Sequence, residues 1–198
     1  MKKYMEETLK YYNENCNEYN KLWGNIEFDI PLKFLSYLKK ESYILDLGCG
    51  VGRDSKYFID NGYRVKAIDG SSMMCKIASE NIGIGVEQIN FLDIDYRDMF
   101  DGIFACASLL HLDNEDLIIV LNKIKNALKE DGILYTCFKY GVDERFEKRY
   151  YNDMTEDKFF DIIKLVDGFK IEKVWITDQY NTDSKFINFI LRKEVSYE

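Results

Sequence analysis

Apolar and polar positions along this chain switch repeatedly between a helical and an extended rhythm. Over residues 3–20, Tyr4, Leu9, Tyr12, Cys16 and Tyr19 recur at roughly helical spacing and predict a helix. A second, short helix is expected over 30–39, with the only proline, Pro31, near its first turn. Tyr43 to Leu47 reads as a buried strand, and 52–62 returns to helix, closed by the stop signal Asn61-Gly62. Arg64 to Ile68 is a second strand, followed by a helix over 71–81 with a serine at its start. Val86–Phe91 is a shorter third strand and Gly102–Ala107 a fourth. Asp113–Lys129 is helical, with apolar residues at 117, 120, 121, 124 and 128, and stops at Glu130-Asp131-Gly132. Ile133–Lys139 is a fifth strand; residues 140–154 show no clear period. A Thr-x-x-Asp opening starts a helix over 155–166. Phe169–Ile176 and Phe186–Lys193 are the last strands, separated only by a polar segment.

Strands alternating with helices of this length require parallel crossovers, so the expected fold is α/β: an open, doubly wound sheet with helices on both faces. The last two strands have no helix between them and should pair as an antiparallel hairpin, giving seven strands, mostly parallel. No repeat, linker or low-complexity tract interrupts the pattern, which predicts a single domain over 1–198.

Charge narrows the partners. With 27 Lys plus Arg against 35 Asp plus Glu, the formal net charge is −8, which argues against nucleic acid as a partner. No apolar run is long enough to span a membrane, and the two N-terminal lysines are not followed by a signal-peptide core, so a cytoplasmic location is expected. The five cysteines are odd in number and never spaced as CxxC, and His111 is the single histidine. Reduced thiols and no metal site are expected. Monomer and dimer both stay open.

The densest chemistry is Ile44-Leu-Asp-Leu-Gly-Cys-Gly-Val-Gly-Arg53, a buried strand running into glycines at 48, 50 and 52. Glycine permits positive φ and lets a ligand approach with no Cβ in the way. The first βα turn of such a sheet is where nucleotide-like ligands dock. Asp46 adds a carboxylate beneath that turn, Asp69 ends the second strand where it can take both hydroxyls of a ribose, and Asp93 ends the third, where it can accept from an adenine amino group. Together they describe a site for an adenosine carrying a 5′ substituent. Asp69 can equally serve as a helix cap, and Asp95 competes with Asp93. The spacing is GxGxG, not the GxGxxG of dinucleotide folds.

Asp46-Leu-Gly-Cys-Gly-Val-Gly52 resembles the first motif of class I S-adenosylmethionine-dependent methyltransferases, and Ala67-Ile-Asp-Gly-Ser71 their second. Phe100-Asp-Gly-Ile-Phe104, followed by Leu110-His111, is similar to the family's fourth-strand segment, and Leu128-Lys-Glu-Asp-Gly-Ile-Leu134 to the turn before its fifth strand. Glu130-Asp131 stands where Pro-Gly is usual, which alters the turn and not the ligand site. The resemblance covers roughly residues 10–193, with small stand-alone enzymes of the tellurite-resistance or small-molecule type as the nearest look. It implies a Rossmann-like fold and S-adenosyl-L-methionine as cofactor, with S-adenosyl-L-homocysteine as product. Carried over, it assigns Gly48 and Gly50 to the methionine part, Asp69 to the ribose, Gly70 and Ser71 to its flanks, and Met74 to the adenine face. Asp93 and Ile94 would meet the adenine edge, and Ala107 would lie near the sulfonium. Arg53 is either a partner for the cofactor carboxylate or a surface pair with Asp54 or Asp60. Residues 1–40 would form a helical lid, with Tyr11, Tyr12 or Tyr19 reaching the cofactor, or else an amphipathic helix burying its rings on the sheet.

The acceptor pocket should form from the fourth strand onward. His111 there can take a proton from a nucleophile or merely shape the wall. Arg145, Lys148 and Arg149 can bind an anionic substrate or be ordinary surface charges, while Trp175 reads as core and Gln179 lies near the final turn. The expected activity is methyl transfer to a small-molecule nucleophile. Transfer to RNA or protein, and a binding module without catalysis, remain the alternatives.

Overall fold

The computed structural model describes residues 1–24, 29–179 and 182–195. Nine strands and six α-helices follow one another in it: α1 (Lys3–Trp23), α2 (Ile30–Leu35), β1 (Tyr43–Leu47), α3 (Arg53–Asp60), β2 (Arg64–Asp69), α4 (Ser72–Ile82), β3 (Glu87–Gln88), β4 (Phe100–Ala105), α5 (Asn114–Ala127), β5 (Leu128–Lys139), β6 (Glu144–Phe146), β7 (Tyr150–Asn152), α6 (Glu156–Val166), β8 (Phe169–Asp178) and β9 (Lys185–Lys193). Seven of these strands make one sheet in the order β3-β2-β1-β4-β5-β9-β8, in which β9 runs antiparallel to both β5 and β8. This is the Rossmann-like doubly wound sheet with a C-terminal hairpin that the alternation predicts.

Period-two patterning explains why both faces are covered. Leu45, Leu47, Ile103 and Ala105 point into one core with Leu117, Val120, Leu121 and Ile124 of α5 and Phe159, Ile162, Ile163 and Val166 of α6. Ile44, Phe104, Ile133 and Tyr135 point the other way, against Phe34 of α2 and Phe58 of α3. Three helices start on the side-chain caps their sequences announce: Ser71 accepts from the Met74 N–H, Asp113 from Asp116 and Thr155 from Lys158.

Several boundaries differ from the sequence reading, among them the second helix, which ends at Leu35 and not at 39. The third strand is only Glu87–Gln88, not 86–91: it sits at the sheet edge, and the chain leaves early to fold Phe91–Asp93 into a 3-10 turn pinned by the Asn90 amide on the Asp93 carboxylate. The fourth strand starts at Phe100 and ends at Ala105, because Ala107 turns into the left-handed region at φ +50°. Glu130-Asp131-Gly132 ends a helix in the reading but lies inside β5, as a bulge with Asp131 at φ +61° between the pairs Phe100↔Leu128 and Gly102↔Ile133. The aperiodic stretch holds a small hairpin, β6–β7, paired Glu144↔Asn152 to Phe146↔Tyr150. Its strands are too short and too mixed in polarity to show a period.

Among the described residues no helix is long and apolar enough to cross a membrane.

Candidate active site

The three glycines after β1 all adopt positive φ: +77° at Gly48, +54° at Gly50 and +83° at Gly52. A side chain at Gly48 would collide with Ser108 Cβ at 2.6 Å, and one at Gly52 with Ile82 Cγ2 at 2.8 Å. Gly50 meets nothing nearer than Tyr19 at 3.8 Å, so its turn is open toward a cavity. Gly48 and Gly52 serve packing, and Gly50 gives access. Gly52→Ala is therefore expected to destabilise the fold by about 2 kcal/mol, from left-handed strain plus a clash that α4 must relieve, as read by urea unfolding.

Two carboxylates organise the turn. Asp69 accepts the Gly50 N–H on Oδ2 at 3.0 Å and the Ser71 N–H on Oδ1 at 2.8 Å. Burial lifts its pKa to about 6, with the backbone donors of Ser71 and Gly50 opposing. Asp46 accepts the Ser55 hydroxyl at 2.6 Å. Burial, then the charge of Asp54, lifts Asp46 to about 7.

A cavity lies over the C-terminal ends of β1, β2 and β4, walled by the glycine turn, Asp46, Asp69, Gly70, Met74, Asn90, Phe91 and Ser108. Helix α1 closes it from above with Met5, Thr8, Leu9, Tyr12 and Tyr19. That helix is tied down at both ends. Tyr4 donates to Asp116 Oδ2 at 2.6 Å, Asn13 Oδ1 accepts from the Ser71 hydroxyl at 2.7 Å and the Met73 N–H at 3.2 Å, and Asn20 Oδ1 accepts from Asn81 at 3.1 Å. A second, larger cavity of about 410 Å3 lies beside the first, toward β5, β9 and the β6–β7 hairpin. Tyr12, Tyr19, Trp23, Arg53, Cys106, Ala107 and His111 wall both, so the two meet where Ala107 turns after β4.

At that junction the side chains are locked together. Tyr12 donates its hydroxyl to His111 Nε2 at 2.8 Å and accepts from Arg149 Nη1 at 2.9 Å. His111 Nδ1 lies 2.6 Å from the Tyr150 carbonyl, which can only accept, so the proton sits on Nδ1 and Nε2 is the acceptor. Burial, against the Tyr150 carbonyl bond and helped by Arg149, pulls the His111 pKa down to about 3. The ring is neutral at physiological pH and its basic nitrogen is already engaged by Tyr12. Tyr12→Phe would leave that buried nitrogen without a donor. An expected loss of about 1–3 kcal/mol in chemical denaturation follows, with His111 still neutral by NMR at pH 6.

Of the cofactor residues expected from sequence, Tyr19, Asp46, Gly48, Gly50, Arg53, Asp69, Gly70, Met74 and Ala107 share the first cavity's wall. Ser71, Asp93 and Ile94 do not. Ser71 is fully buried as the cap of α4 and as donor to Asn13. Asp93 is exposed on the 3-10 turn, and Ile94 is buried beyond it with its carbonyl on Lys123. The early end of β3 carries both past the cavity and puts Asn90 and Phe91 there in their place. Arg53 forms a bidentate pair with Asp54 at 2.9 and 2.7 Å while lining both cavities. Tyr12 and Tyr19 are lining residues, whereas Tyr11 stacks at its edge on Tyr12, 5.8 Å between centroids.

On the acceptor side, Arg145 is held by Asp153 and Glu147, Lys148 is exposed, and Arg149 lines the second cavity. Gln179 lines it too, while Trp175 is half-buried against Tyr135, 6.1 Å between centroids. Sequence reasoning missed Leu9, Asn90, Phe91, Cys106 and Ser108. The first would have followed from the helical face shared with Tyr12 and Tyr19; the others depend on where strand ends fall.

The donor set of the first cavity fits an adenosyl ligand. Asp69 is a half-buried carboxylate on the cavity wall, and the Ser108 hydroxyl is buried there with no partner among the described residues. Residues 44–132 match a family described as a methyltransferase domain. An uncharacterized methyltransferase of Staphylococcus carnosus (strain TM300) is 29% identical over 125 residues, 59% of this chain and 60% of that one. The chain thus spans about 60% of the length of that relative. Among solved structures, the 1,6-didemethyltoxoflavin-N1-methyltransferase of Burkholderia thailandensis, with bound 1,6-didemethyltoxoflavin and S-adenosylhomocysteine, superposes with a TM-score of 0.82 at 19% identity, covering 97% of this chain and 89% of that one. A TehB-like SAM-dependent methyltransferase from Corynebacterium glutamicum superposes at 0.72 with 19% identity, covering 94% and 98%. At such identities these structures share the fold.

Proposed function

We propose that this chain, whose residues 44–132 match a methyltransferase domain family, moves a methyl group from S-adenosyl-L-methionine to a small-molecule nucleophile. One observation carries this reading: a cavity fitted for an adenosyl group opens directly into a second cavity at Ala107. When bound, S-adenosylmethionine supplies an electrophilic methyl carbon on a sulfonium. The chain's own contribution is proximity, orientation and exclusion of water. Asp69 would hold the ribose hydroxyls, Met74 and Phe91 the adenine faces, and Asn90 its edge. The glycine turn would take the methionine part, with Arg53 and Asp46 beside it and Gly70 flanking the ribose. Ser71 serves from behind, by capping α4 and fixing Asn13.

Helix α1 acts as the lid. His111 serves by holding Tyr12, since its basic nitrogen faces the phenol and not the open cavity. A neutral or anionic nucleophile that needs no strong base suits this junction. The likeness in fold to the toxoflavin-precursor enzyme, whose bound acceptor is a small molecule, supports a small acceptor here. Five free thiols suit a cytoplasmic setting.

The test is incubation with methyl-labelled S-adenosylmethionine and panels of small thiols, amines, phenols and carboxylates. Label in a small product bears the reading out. Tight S-adenosylhomocysteine binding with no transfer to any panel would sink it and leave a binding module.

A further inference from the structure

Arg149 and Lys139 stand out in the second cavity because a chain of net charge −8 leaves both without an acid. Among the described residues neither has a carboxylate within ion-pair distance. Three neighbouring cations do: Arg145 binds Asp153 and Glu147, Lys158 lies 4.0 Å from Glu144, and Lys185 takes Asp178. Lys139 and Arg149 instead converge on one ring, with Lys139 Nζ 4.8 Å and Arg149 Cζ 5.2 Å from the Tyr151 centroid. Arg145 approaches the same ring at 5.0 Å.

Burial, then the charges of Arg145 and Arg149, holds Lys139 below the usual lysine range, with Asp153 and Glu147 opposing from further off. Lys139 and Arg149, the two cations over the ring with no carboxylate of their own among the described residues, repel one another, and an anion lying between them would relieve the arrangement. Arg149 uses one of its five N–H donors on Tyr12 and is clamped over Tyr11 at 4.6 Å, so its remaining donors are fixed in direction. Five further rings, Tyr12, Tyr19, Trp23, Tyr135 and Phe186, give the wall flat faces. Of the two acids on the wall, Asp178 is neutralised by Lys185, and Asp29 lies on α2's side.

We propose that Lys139 and Arg149, over the Tyr151 ring, form an anion subsite in the acceptor cavity, and that the methyl acceptor is a planar aromatic molecule carrying a carboxylate there. The assignment deepens the methyltransferase reading of the same site and rests on it. Arg149 couples the subsite to the lid, since the guanidinium that would meet the carboxylate already holds Tyr12 of α1.

Calorimetric titration tests this with salicylate, anthranilate and benzoate, each against its neutral amide, in the presence and absence of S-adenosylhomocysteine. The acids are expected to bind at least about tenfold tighter than the amides, as a charge-assisted contact should give. Lys139→Met is expected to bring acid and amide within about twofold, and Lys139→Arg to restore the preference, with unchanged circular dichroism in both. Equal binding of acid and amide, no binding of any acid, or a preference that survives Lys139→Met would overturn the subsite. Failure to bind S-adenosylhomocysteine while the acid preference persists would instead remove the methyltransferase reading and leave the anion subsite standing.

Discussion

Replacing Asp69 by alanine is expected to weaken S-adenosylhomocysteine binding by at least about 100-fold, near 3 kcal/mol, as the two charge-assisted bonds to a ribose are lost. The same carboxylate holds the Gly50 and Ser71 N–H groups, so on the proposed function it would shape the turn that the ligand enters as well as touch the ligand. Asp69→Asn separates the two effects. One amide oxygen still accepts a backbone N–H while the new NH2 faces the other donor, so the melting temperature should fall by less than in Asp69→Ala while affinity falls as far. Burial holds the Asp69 pKa at about 6, and the ionised form is the one that accepts two hydroxyls. Affinity should therefore rise with pH through about 6 and level off above it. A calorimetric pH series that is flat between 5 and 7 would show that Asp69 is not the titrating contact.

The second large effect is on stability, and its sign is the less familiar one. Asp46 is buried, and its folded-state pKa is raised from 3.8 to about 7 by burial and by the nearby charge of Asp54. The folded protein then holds a proton that the unfolded chain gives up, so the contribution of Asp46 to stability is fully present below about 4 and is lost as pH rises through 7. Ionising Asp46 in place costs up to about 4 kcal/mol. Asp46→Asn keeps an oxygen for the Ser55 hydroxyl and removes the charge. At pH 8 the variant should unfold at higher urea than wild type, with the advantage fading by pH 5. An unchanged pH slope in the variant would assign the linkage to another group.

Both results depend on features that differ in how readable they are. The three glycines and the acids at 46 and 69 sit inside a continuous pattern, a buried strand followed by a turn, so their placement follows from local chemistry alone. Asp93 follows no such rule. Its place depends on how many residues β3 contributes to the sheet edge, and an edge strand gains little from extending, so it stops at Gln88 and Asn90 arrives where the acid was expected. The β6–β7 hairpin escapes notice for a related reason, although Arg149 at its turn is legible as a candidate anion binder: three-residue strands carry no period, and their pairing is set by tertiary contacts. His111 was found by being the single histidine, but its tautomer and its engagement with Tyr12 come from the distant Tyr150 carbonyl and α1.

Because Tyr12, Tyr19 and Trp23 wall both cavities, one helix borders both compartments. On the proposed activity, the exit of spent donor and of methylated product would be one kinetic event governed by how often α1 lifts from Asn81, Ser71 and Asp116. Turnover would then be set by the hold of a few hydrogen bonds some distance from the reacting atoms.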